Sequence, residues 1–193
     1  MKYYISFKNI RINQGIAKKL NPSDLWCYQK IIKEIKKLPI KVIGLLRENN
    51  IKLCVSNKPL NIYYKGHKLN NLSHYYLEQQ TIYIFTKDLI EFKTYRNYSL
   101  IHHEIGHATD NIMAKTKGYI NVLYLSHAKL DYNYQQRALD IYAAMSPHEY
   151  FAQGFMSYFQ KKINGYKPKV YFEHNKNELK KDKRLYEFIS KCL

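Results

Sequence analysis

The sequence predicts a single α+β domain over residues 1–193, with a small mixed sheet, an edge strand beside a central helix and a largely helical C-terminal half. Three observations predict it. Thr81-Ile-Tyr-Ile-Phe-Thr86 is rich in β-branched and aromatic residues, which suit a pleated, half-buried strand. Tyr98, Ile101, Ile105, Ala108 and Ile112 recur at three- and four-residue steps, the buried stripe of a helix. Phe151, Phe155, Tyr158 and Phe159 repeat that pattern after Ser146-Pro147, a cap and a first helical position. The chain is long enough to enclose one core, and no break in composition marks a second unit. Residues 1–78 form an N-terminal helical and strand part, and 79–193 carry the candidate site.

In chain order, a short strand is expected at Tyr3–Phe7. Asn21-Pro22-Ser23-Asp24 opens a helix with a capping residue and acidic charge in its first turn. Leu25, Tyr28, Ile31, Ile32 and Ile35 then follow at helical spacing. Pro39 ends that helix and starts a second through Ile40–Arg47, which makes a packing hairpin. Ile51–Val55 and Leu60–Tyr64 read as strands, separated by the turn chemistry of Ser56-Asn57-Lys58-Pro59. The strand at 81–86 is the expected edge. There Tyr83, Ile84 and Phe85 would meet an extended peptide by strand addition; an internal strand fits the same residues.

The helix that follows carries His103-Glu104-Ile-Gly-His107, with Asn97 and Ser99 as candidate caps. At 3.6 residues per turn, positions i and i+4 share a face, so the two imidazoles can converge on one ion. Glu104 then lies beside that ion without ligating it, where it can take a proton from the water the ion activates. Gly106 weakens a helix and needs a reason, such as close approach of another segment or of substrate. Two surface histidines on an ordinary helix would give the same five residues. Residues 114–134, with Gly118 and His127, read as a loop with some helical content that shapes a cleft or simply connects.

A catalytic zinc usually takes three protein ligands. Six residues past His107, where one arrangement places a further histidine, stands Met113. The best third candidate is Glu149 in Met145-Ser-Pro-His-Glu-Tyr-Phe-Ala-Gln-Gly-Phe155. Ser146-x-x-Glu149 also fits a capping box, so at this point Glu149 is equally a ligand or a cap.

His-Glu-Ile-Gly-His-Ala-Thr-Asp (103–110) followed by Glu-Tyr-Phe-Ala-Gln-x-Phe (149–155) resembles the family formed by the anthrax lethal factor catalytic domain and the secreted Pro-Pro endopeptidases. The resemblance covers residues 80–193, including the basic tail after Lys167 that ends in a helix through Leu185, Phe188 and Ile189. It implies a zincin-like fold of the gluzincin type, one Zn2+ per chain, and Glu149 as the third ligand. It also implies that Tyr142, seven residues before Glu149, assists the transition state. The family's second acidic residue is Gln153 here. A glutamine carbonyl can still accept an imidazole N–H, without the charge that raises ligand basicity. Asp110 is another candidate partner for a ligand histidine, or a surface acid near the middle of the helix.

The expected activity is hydrolysis of a peptide bond in an extended protein or peptide substrate, in a toxin, phage or housekeeping setting. A net charge of +17 and a pI near 9.6 attract anionic partners, and would favour acidic flanks in a substrate. The lysines are spread along the chain, as on a generally solvated basic surface. The alternatives are a basic nucleic-acid-binding protein with an accidental motif, and a peptide-binding pseudopeptidase. Cys27, Cys54 and Cys192 lack metal-type spacing and argue against a disulfide framework. No apolar run reaches membrane-spanning length. The N-terminal residues lack a secretory leader pattern, so a cytoplasmic protein or one exported by a leaderless route is expected.

Overall fold

The computed structural model describes residues 2–8, 10, 14–58, 63–64, 67–68, 73–91, 99–119, 124–130, 135, 138–160 and 174–193. β1 (Lys2–Ile5) alternates exposed and buried residues. After a single turn, α1 (Gln14–Ala17), Asn21 caps α2 (Pro22–Ile35) by accepting the Asp24 N–H at 2.8 Å. The expected stripe of α2 is the buried one, with Tyr28, Ile31, Ile32 and Ile35 all in the core. α3 (Ile40–Glu48) begins after Pro39, as expected.

β2 (Lys52–Ser56) follows, then the two-residue strands β3 (Tyr63–Tyr64) and β4 (His67–Lys68), which pair with each other. The first three residues of the expected strand at Leu60–Tyr64, with Pro59 of the preceding turn, lie outside the described residues. β5 (His74–Tyr76) and β6 (Thr81–Phe85) form a hairpin, and α4 (Thr86–Glu91) continues directly from β6.

The four-stranded sheet has the order β1-β2-β6-β5, with antiparallel, parallel and antiparallel pairings in turn. This corrects the reading of residues 81–86 as the edge strand. β6 lies between β2 and β5, so its backbone is paired on both sides and cannot take an added strand. Ile84 lies in the core and Tyr83 is buried on the opposite face, while Phe85 is half-buried. Among the described residues the outer strand on that side is β5.

The registers align Ile5, Leu53, Ile82 and Tyr75 across one face, with Tyr3, Val55 and Ile84 one pleat away. All are buried, and the Tyr3 ring meets Tyr28 of α2 edge to face at 5.4 Å.

The second half is helical. α5 (Leu100–Thr116) is capped by Ser99, which accepts the His102 N–H; Asn97 and Tyr98 lie outside the described residues. The helix runs past 114, where a loop is expected. It ends in a Schellman turn with Gly118 at φ 73° and a bond from the Tyr119 N–H to the Ala114 carbonyl. α6 (Leu125–Lys129) supplies the expected helical content of the connection. A 3-10 turn (Ala143–Met145) precedes α7 (Pro147–Phe159). α8 (Lys176–Leu179) and α9 (Lys183–Cys192) close the chain.

One connected set of buried side chains runs from Tyr3 to Ile189. The sequence division at 78/79 therefore falls inside the β5–β6 hairpin rather than between separate cores. Among the described residues no helix is long and apolar enough to cross a membrane, and Cys27, Cys54 and Cys192 are free thiols.

Candidate metal centre

The centre forms where α5 crosses α7, and Gly106 explains the closeness of that crossing. A Cβ on Gly106 would lie 3.1 Å from Ala152 Cα and 3.2 Å from Phe155 Cβ. The glycine is thus the close-approach position that its cost to the helix implies. His103 and His107, one turn apart on α5, face Glu149 in the first turn of α7.

Glu149 Oε2 is 3.3 Å from His103 Nε2 and 3.4 Å from His107 Nε2, and the two imidazole nitrogens are 3.2 Å apart. Ligand atoms about 2.0–2.1 Å from a small tetrahedral ion stand about 3.3–3.4 Å from one another. The three donor atoms therefore have the separations of one face of such a coordination sphere. Glu149 Oε2 is buried and has no hydrogen-bond partner of good geometry among the described residues, and the three donor atoms lie close enough together to serve one ion. The alternative of a capping box is half realised: Ser146 accepts the Glu149 N–H at 3.3 Å, while the carboxylate turns to the imidazoles.

The electrostatics favour a cation here. Burial pushes the Glu149 carboxyl up, but the His103 and His107 imidazoles outweigh it and hold the group well below the usual carboxylate range. Burial lowers His103, whereas at His107 the carboxylates of Glu149, Glu104 and Asp110 reverse the effect of burial and raise it. Glu104 is pushed up to about 8, chiefly by burial, with the Tyr75 N–H hydrogen-bonding its carboxylate and opposing the shift. Glu104 Oε2 is buried and has no hydrogen-bond partner among the described residues.

A cleft of about 390 Å³ opens onto these groups. Tyr142 lines it, with its ring 5.8 Å from that of His103 and its hydroxyl within hydrogen-bonding reach of Glu149; burial holds its pKa well above the usual phenol value. The structure thus brings together His103, Glu104, His107, Tyr142 and Glu149. It does not bring Tyr83, Ile84 or Phe85 to the cleft lining, where β5 contributes His74 and Tyr75 instead.

Two supporting roles are corrected. Asp110 is fully buried rather than a surface acid, and its two oxygens accept from Ser126 N (2.8 Å) and Ser126 Oγ. It ties α6 to α5, and its charge acts on His107. Gln153 is buried one turn past Glu149, but its carbonyl oxygen meets no N–H, and His107 Nδ1 is likewise without a partner among the described residues. His127 is exposed on α6 and is not among the residues that line the cleft.

Sequence reasoning missed Tyr75, Tyr124 and His148. The Tyr124 and His148 rings stack at 4.7 Å and form one wall of the cleft, with His148 6.0 Å from His107. His148 precedes Glu149 directly, and its neighbour in the motif was the available signal.

No protein-family model matches this chain, and no curated protein or solved structure is significantly similar to it.

Proposed function

We propose that this chain is a zinc-dependent endopeptidase of the gluzincin type. The observation that carries the reading is the triangle of His103 Nε2, His107 Nε2 and Glu149 Oε2 with edges of 3.2–3.4 Å. Two imidazoles and one carboxylate are a donor set suited to catalytic zinc with a fourth position open. Zinc bound there supplies a Lewis acid that polarises a scissile carbonyl and makes water acidic enough to attack near neutral pH.

The chain's own residues do the rest. Glu104, one of whose carboxyl oxygens has no hydrogen-bond partner among the described residues, accepts in its ionised form the proton of the attacking water and returns it to the leaving amine. Tyr142, whose phenol burial pushes up from its ordinary value, donates a hydrogen bond to the oxyanion as it develops. β5, the outer strand beside α5, offers an extended peptide a backbone to align with, in place of β6. A helix with the two histidines, packed beside an outer strand of a mixed sheet, is consistent with a zincin-like fold.

Among the described residues no lysine or arginine lines the cleft. The described walls are Ser73, His74, Tyr75, Tyr124, Tyr142 and His148.

The test is cleavage of an unbiased peptide library by the zinc-loaded chain. Cleavage that a chelator abolishes and added zinc restores supports the reading. A zinc-loaded, folded chain that cuts no peptide in the library contradicts it.

A further inference from the structure

Tyr142 stands at the start of a 3-10 turn of only three residues, flanked by Ile141 and Met145, which are 80% and 68% exposed. So short a turn has little internal hydrogen bonding to hold a side chain in place. The holding comes from Asp140, whose side chain is 2% exposed. Its Oδ1 accepts the Ala143 N–H at 2.7 Å, and its Oδ2 accepts from His174 Nε2 at 2.8 Å. Because a carboxylate can only accept, the proton on that imidazole is on Nε2.

His174 directly precedes Asn175, which closes a capping box with Glu178 at the start of α8; Glu178 Oε2 lies 3.8 Å from His174 Nδ1, beyond hydrogen-bonding distance. The Lys176 N–H donates to the Gln160 carbonyl at 3.0 Å, just past the end of α7. The helix that presents Glu149 and the turn that presents Tyr142 are therefore joined a second time, through α8, His174 and Asp140.

We propose that Asp140 and His174 are positioning residues for Tyr142. The carboxylate clamps the turn through Ala143, and the imidazole stops the carboxylate from rotating away, so the phenol stays aimed at the cleft. A buried carboxylate with one donor is under-satisfied, and His174 supplies the second donor without entering the cleft. The catalytic consequence rests on the peptidase reading, whereas the brace itself rests only on these contacts. A latch that merely holds the C-terminal helices to the body is the rival explanation, and the double-mutant design below separates the two.

The experiment compares His174→Ala, His174→Gln and Asp140→Ala, each alone and in a Tyr142→Phe background, using a peptide the wild type cleaves. The expected result is a drop in kcat of about tenfold or more for both alanine variants, with KM and zinc content unchanged. His174→Gln, whose amide can still donate, recovers part of the loss. In the Tyr142→Phe background His174→Ala has no further effect, because the residue it positions is already disabled. An equal drop in both backgrounds, or no drop in either, overturns the proposal.

Hydrogen exchange at the Ala143 amide judges the brace independently of turnover. His174→Ala should speed it at least tenfold while the amides of α5 keep their protection. Unchanged exchange overturns the brace even in an active enzyme. A wild type that binds no zinc and cuts nothing defeats the peptidase reading instead, and the exchange result still decides the brace.

Discussion

His103 Nε2 and Glu149 Oε2 lie 3.3 Å apart, although one sits at the start of α5 and the other in the first turn of α7. Neither helix makes that meeting alone. Gly106 lets the two axes approach, and Ser146-Pro147 starts α7 at the register that turns Glu149 inward. The centre is a property of the crossing, and the predictions below follow from its parts.

Glu104→Gln should keep zinc and lose turnover by about 10²–10⁴-fold, the usual contribution of a positioned acid or base. The amide fills the same space and cannot accept the proton. Steady-state kinetics beside a zinc assay check this, and an active Glu104→Gln enzyme would remove Glu104 from its role.

Tyr142→Phe should lower kcat by about 10²–10³-fold with zinc content and KM little changed, since the hydroxyl is needed only as charge develops. A rise in KM alone would make Tyr142 a residue of substrate binding.

Gly106→Ala should destabilise the fold by about 1–3 kcal/mol, because the added methyl overpacks the α5–α7 contact. That outweighs the gain of about 1 kcal/mol that alanine brings to a helix interior. The 3.1 Å approach to the Ala152 backbone leaves little room to yield. Urea unfolding measures it, and a stabilised variant would show that the helices can separate freely.

His102 gives a pH dependence with a definite sign. Burial pushes its imidazole down to about 4 from an ordinary 6.5, although Glu34 opposes the shift. Its Nε2 donates to the Glu34 carbonyl at 2.9 Å, inside the contact of α5 with α2. A folded value below the unfolded one means that the neutral form stabilises the fold above pH 6.5. That contribution falls away as pH drops from 6.5 to 4, by about 3 kcal/mol in all. In chelator, the stability difference between wild type and His102→Gln should shift by that amount, against the wild type, across this window. A difference independent of pH would contradict the account.

Much of this was legible in the residues. α2, α5 and α7 announce themselves because caps and apolar period agree, and His103, Glu104 and His107 have a fixed spacing on one helix. From its local pattern alone Glu149 is ambiguous, because Ser146-x-x-Glu149 reads equally as a cap; its approach to the α5 imidazoles is a tertiary contact that the local pattern does not show. β5 was not legible: His74-Tyr-Tyr76 is three residues long, and its place at the outside of the sheet is decided by pairing with β6. The same shortfall misplaced the edge at Tyr83, Ile84 and Phe85. The offsets of Asp110 and Gln153 from the motif residues suggest supporting roles, whereas their partners depend on where α6 packs and on how Gln153 is buried. Tyr124, Asp140 and His174 lie in irregular segments whose only signal is tertiary.

The most direct test of the central claim is zinc per chain after exhaustive dialysis, measured for wild type and Glu149→Ala together. The account predicts one zinc per wild-type chain, lost or much weakened in the variant while its circular dichroism stays native. Wild-type protein that holds no zinc when offered an excess, or a variant that holds it as tightly as wild type, would contradict the three-ligand centre.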